Sequence, residues 1–119
     1  MKKSYVAGDV YAPRITFDSN DSTLSIEGNC NGLNCAWQMG EVIEDIAAAG
    51  EKPLQVIIEV NHFSAKCVFD MVSSLKQICS AFPIEVVWRY SAWDIDHLEL
   101  GEIIRSILGV PFRMQEIDC

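Results

Sequence analysis

The residues best placed to do chemistry in this chain form one short stretch, Asn61-His62-Phe63-Ser64-Ala65-Lys66. It lies between a β-branched apolar run and an apolar pattern at helical spacing. It holds one of only two histidines, a hydroxyl and a cation. A serine at a helix mouth is placed to act as an N-cap, its oxygen accepting from amides of the next turn. Lys66 is harder to account for. A cation in the first turn faces the positive end of the helix dipole, at a cost of roughly a few tenths of a kcal/mol. It becomes favourable where an anion sits. Free amides, the dipole and an ammonium together cradle a phosphoryl group on Ser64 or an acidic group from a partner. The plainer alternative is that Lys66 projects into water.

Other chemistry is thin. His62 and Ser64 form a conceivable base and nucleophile, but they are two residues apart at a bend and no orienting carboxylate accompanies them. "GNCNG" lacks the lysine and the spacing of a phosphate loop, and no nucleophile elbow or H-E-x-x-H occurs. Asp94, Asp96, Glu99 and Glu102 have the right types for a divalent cation. They read more simply as the acidic first turn of a helix, complementing its positive end. Cys30, Cys35 and a histidine lack the close spacing of a tetrahedral metal site. The expectation is a protein without catalysis, metal or cofactor.

Composition narrows the partners. The 119 residues suffice for one domain, 1–119, and half of them are apolar, which argues for a packed core. The formal net charge of −8 disfavours nucleic acid and anionic membrane surfaces, since both repel an acidic body. The longest uncharged apolar run, "LQVII", is too short to span a bilayer, and the lysine-bearing start has no apolar segment of a signal peptide. A cytoplasmic protein is expected. In that setting an odd count of five cysteines points to reduced thiols, with Cys67 and Cys79 as small core residues.

The elements that must position the stretch follow from periodicity. "RITFDSNDSTLSIEG" alternates apolar and polar about the turn residues "SNDS", a hairpin. "YVAGDVYAP" before it offers an edge strand. Asn34 can cap a first helix whose stripe is Met39, Val42, Ile43, Ile46 and Ala47, with Gly50 as its stop. "PLQVIIEV" is a central strand. Val68, Met71, Val72, Leu75, Ile78 and Phe82 repeat at helical spacing, and "IEVVWRY" is another strand. "SAWDIDHLELG" reads as an acidic loop. Leu100, Ile103, Ile104, Ile107 and Leu108 form the stripe of a third helix ending at Gly109, and "VPFRMQEI" offers a last strand. Alternation of strands and helices predicts an α/β domain, a mixed sheet with an N-terminal hairpin and about three helices mainly on one face.

This arrangement, with "APRITFD", "NHFSAK" and "WRYSAWDIDHLELGE" followed by "PF", resembles the SiaC family from about Pro13 to Phe112. These are bacterial regulatory phosphoproteins with a fold like STAS domains, the anti-sigma-factor antagonists. The resemblance implies signalling by partner switching. A dedicated kinase and a phosphatase act on the protein, and the unmodified form binds and activates a target such as a diguanylate cyclase. The family usually reads N-T-S-S at the bend, with the threonine as phosphoacceptor. Here His62 stands in the threonine's place and Phe63 in that of the next serine, which leaves Ser64 as the candidate acceptor. The loop "CNGLN" keeps the family's Asn34 without its proline and glutamate. The implied partner surface comprises Asn34, Asn61, His62, Phe63, Ser64, Lys66, Trp93 and Asp94. The alternative reading is a small anion- or nucleotide-binding module with no phosphate switch.

Overall fold

A computed structural model of the chain describes residues 2–6, 8, 13–30, 39–50 and 53–117. The elements run β1 (Lys2–Val6), β2 (Arg14–Asp18), β3 (Thr23–Cys30), α1 (Met39–Ala48), β4 (Leu54–Phe63), α2 (Ala65–Ala81), β5 (Ile84–Ser91), α3 (Ile95–Leu108) and β6 (Phe112–Ile117). The six strands form one sheet in sequential order. β1, β2 and β3 are antiparallel neighbours, whereas β3 through β6 are parallel. The three parallel connections step in one direction across the sheet, and α1 packs on α2 and α2 on α3, so the three helices share one face. This is the expected α/β architecture, with β4 at the centre of the parallel part.

Strand alternation records the one-sided burial. Leu54, Val56, Ile58 and Val60 of β4 are buried and the residues between them are not. Ile15, Phe17, Leu24, Ile26, Val86 and Trp88 extend the same face and meet Val42, Ile46, Met71, Leu75, Ile78 and Ile104 from the helices. On the open face Glu27 and Glu59 sit side by side in the β3–β4 register. Like charges so placed repel. Each is neutralised from a neighbouring strand, Glu27 by Arg14 at 3.2 Å and Glu59 by Arg89 at 2.9 Å.

Several expectations shift in detail. The edge strand lies at Lys2–Val6, nearer the N-terminus than "YVAGDVYAP". In the hairpin turn the left-handed residue is Ser22, at φ +55°, instead of Asn20 or Asp21. The capping role of Asn34 falls outside the described residues, as do Cys35 and Cys119. Ala47 is exposed, and α1 is buried through Val42 and Ile46. "SAWDIDHLELG" is a loop only up to Asp94: α3 begins at Ile95, because the Asp94 carboxylate accepts from the His97 amide and caps it. Ile103 and Ile107, expected in the core, are exposed. Cys30 and Cys67 are joined as a disulfide, contrary to the expectation of reduced thiols.

β1 is fastened to α1 by a polar cluster. The Tyr5 hydroxyl donates to Asp45 at 2.8 Å, and the Lys3 ammonium bonds Asp45 at 3.0 Å and also Glu41. Partial burial, then the hydrogen bond to Asp45, pushes the Tyr5 phenol well above its ordinary value. A raised folded-state pKa means that the stabilisation is complete below the unfolded value, about pH 10, and fades as pH rises through the folded one. The melting temperature of Tyr5→Phe is therefore expected below that of the parent at neutral pH. The gap should close in strongly alkaline solution, as followed by thermal unfolding across pH.

Candidate functional site

Parallel strands deliver their carboxyl ends to one edge of the sheet, the usual place for sites in such folds. Here β3 ends there at Cys30, β4 at Phe63 and β5 at Ser91. Two stretches distant in sequence, "NHFSAK" and "SAWD", become neighbours for that reason alone. β4 runs three residues beyond the apolar core because Cys30 and Phe63 still pair across the β3–β4 ladder. Asn61, His62 and Phe63 thus stand on a strand end, and the bend begins at Ser64.

Ser64 has extended backbone and caps α2: its Oγ accepts from the Cys67 amide at 3.2 Å. Its own amide donates to the Cys30 carbonyl at 2.8 Å, and its carbonyl accepts from the Val68 amide at 3.0 Å. The residue as a whole is half-buried. Lys66 is exposed at the mouth of α2 and finds a partner on its own helix. Its ammonium holds Asp70 one turn on, at 2.9 Å. The mouth of α2 is thus less electropositive than the sequence led us to expect.

The first turn of α3 completes the site. Asp94 accepts from the His97 amide at 3.2 Å through Oδ1, and its Oδ2 lies 3.1 Å from the His97 Nδ1. The His97 ring, buried, packs tilted on Phe63 with centroids 5.1 Å apart. The His97 carbonyl accepts from the Trp88 indole at 3.0 Å, which ties this turn to the core. Between the two elements lies a cleft of about 370 Å3 lined by Asn61, His62, Phe63, Asp94, Asp96 and His97.

Of the residues singled out in the sequence, Asn61, His62, Phe63 and Asp94 meet in this cleft, with Ser64 and Lys66 on the adjoining bend. Trp93 lies beside the cleft in sequence and is 73% exposed. Asp96 and His97 were not placed on the binding surface from sequence. The signal available was the Asp-x-x-His spacing, which is that of an N-cap and its amide donor. Among the described residues no three histidine, cysteine, aspartate or glutamate side chains converge as metal ligands. The arrangement offers hydrogen bonding, ring surface and modest negative charge, which suits recognition of a partner.

A family model described as SiaC family regulatory phosphoprotein matches residues 6–117. No curated protein matches the chain. Among solved structures, SiaC of Pseudomonas aeruginosa superposes with a TM-score of 0.76 at 22% identity, covering 97% of this chain and 99% of that one. The crystal structure of the diguanylate cyclase SiaD in complex with its activator SiaC, from the same organism, contains a chain that superposes with 0.72 at 24% identity, covering 94% and 98%. Apo-SiaC gives 0.63 at 23% identity, covering 97% and 98%. At these identities the superpositions establish the shared fold.

Proposed function

This chain belongs to the SiaC family of regulatory phosphoproteins, and on that premise we propose that it is a non-catalytic cytoplasmic regulator whose partners change with phosphorylation. Its target in this reading is a diguanylate cyclase, as it is for the SiaC that activates SiaD. A kinase and a phosphatase set its state. The docking surface is the sheet edge formed by Asn61, His62, Phe63, Ser64, Lys66, Trp93 and Asp94, with Asn34 on the preceding connection. Ser64 is the phosphoacceptor.

The single observation behind this assignment is the geometry of Ser64, a half-buried residue whose hydroxyl caps α2 on the shoulder of the cleft. A phosphoryl group there adds nearly two negative charges. It is tolerated by the helix, whose N-terminal dipole favours an anion. It stands two residues before Lys66 and competes with Asp70 for that ammonium. What it disturbs is the interface: a partner pressed onto Phe63 and the cleft must dehydrate a dianion, which costs several kcal/mol unless a cation meets it. The pairing of Lys66 with Asp70, and the carboxylates of Asp94 and Asp96 nearby, weigh against the alternative of a free-anion-binding module.

Ser64→Asp separates charge from capping, because aspartate caps a helix about as well as serine. It is expected to leave the melting temperature within about 2 °C of the parent and to weaken cyclase binding at least tenfold in a titration with the purified cyclase. Ser64→Ala should bind as the parent does but lose about 1 kcal/mol of stability with its cap. Undiminished binding by Ser64→Asp, or intact masses that never show a phosphoryl group on Ser64 when a cognate kinase is present, would remove the proposed switch.

A further inference from the structure

Among the described residues five large apolar side chains stand exposed, and four of them, Trp93, Ile95, Ile103 and Ile107, belong to α3 or its lead-in; the fifth is Phe69 on α2. Ile95 is 65% exposed, Ile103 57% and Ile107 45%. At about 100° per residue these three isoleucines lie on an arc of about 120°. The buried residues His97, Gly101 and Ile104 lie on the opposite side of the helix. Exposed isoleucines scattered singly need no explanation, but three on one arc, next to an exposed tryptophan, make a stripe.

The charges on that arc all have one sign. Asp96 and Glu99 lie on it among the isoleucines and Glu102 about 20° beyond its Ile95 edge, all three exposed, whereas Arg105 falls about 80° beyond that edge. From Ile95 to Ile107 the stripe runs about 18 Å along the helix. A helix face on which isoleucines and carboxylates alternate is complementary to a second helix whose apolar seam is set among basic side chains.

We propose that the outer face of α3 is a docking surface for a basic amphipathic helix of a partner protein, its apolar seam on Ile95, Ile103 and Ile107 and its lysines or arginines against Asp96, Glu99 and Glu102. This surface goes beyond the phosphate-controlled sheet edge. Charge on Ser64 adds to the negative field and does not oppose a basic ligand here. The two readings therefore fail separately.

The test uses the full chain and two synthetic helical peptides of about five turns, alike in their leucine seam, one flanked by lysines and one by glutamates. Calorimetric titration should show the lysine peptide binding, more weakly as salt rises. Ile103→Ser and Ile95→Ser should each weaken it about tenfold, Glu99→Gln with Glu102→Gln should flatten the salt dependence, and Ser64→Asp should not weaken it. Equal affinity for the glutamate peptide, or no heat from either, overturns the proposal. So does a dimer of this chain in sedimentation that Ile103→Ser dissociates, for then the occupant is a second copy.

Discussion

Gly101→Ala is expected to cost about 3 kcal/mol, in a position where helix propensity alone would favour alanine by nearly 1 kcal/mol. Gly101 is buried in the middle of α3, on the side facing the sheet. A Cβ there would lie 2.5 Å from Trp88 Cδ1, 2.6 Å from Trp88 Nε1 and 2.7 Å from Met114 Cε. The methionine end can swing aside. The indole cannot do so cheaply. It is 1% exposed, walled in by the core, and its N–H is committed to the His97 carbonyl. Turning the ring breaks that bond and strands a buried donor, which costs about 1–3 kcal/mol. Keeping the ring in place lifts α3 off β5 and opens the core instead.

The expected readout is a fall in melting temperature of about 10 °C with retained secondary structure. The His97 turn and the cleft beside it should loosen, visible as faster exchange of the His97 amide. Gly40→Ala is the internal control. A Cβ at Gly40 meets nothing within 4 Å, so the same substitution there should be neutral or slightly stabilising. Equal effects at the two glycines would refute the packing argument.

Gly101 also shows why part of this fold escaped the sequence. The stripe of α3 was assigned from its isoleucines and leucines. Yet the arc that meets the sheet is centred on His97, Gly101 and Ile104, of which only one is a large aliphatic. The glycine is there because Trp88 already fills the space, and the histidine because its ring stacks on Phe63. Apolar periodicity cannot see either reason, so Ile103 and Ile107 were placed in the core when they face water. Where one side chain set dominates, as in β4 and α2, a nearly continuous apolar run and the 3.6-residue repeat locate both elements within a few residues. The cap at Ser64 was legible for the same reason: it is a local hydrogen bond set by spacing. The Lys66–Asp70 pair was equally local, four residues apart on one helix face. The approach of Asp94, Asp96 and His97 to His62 and Phe63 depends on parallel pairing of β4 with β5, a relation that no short window contains.

The second large effect concerns Cys30 and Cys67, which the same parallel register brings together. Their Cα atoms are 5.5 Å apart, within the span a disulfide bridges, and their sequence separation is 37. Restricting a loop of that length in the unfolded chain stabilises the native state by about 4 kcal/mol in the chain-entropy model. Reduction is therefore expected to lower the denaturant midpoint substantially without dismantling the fold, since both sulfurs remain buried apolar groups in the core. The effect should concentrate at the site. The bridge ties the end of β3 to the first turn of α2, and Ser64 sits between the two tethers, its amide on the Cys30 carbonyl and its Oγ under the Cys67 amide. With the sulfur bridge open, the bend loses its covalent tie and relies on hydrogen bonds, these two among them, and amide exchange at Ser64 and Cys67 should accelerate more than at the centre of β4. Alkylation of oxidised, unfolded protein should modify at most three of the five cysteines, and all five after reduction. Cys79, whose thiol burial pushes above its ordinary value, should react slowly in the native state. Five modified cysteines without reduction would mean the bridge is absent, and the stability difference should then vanish with it.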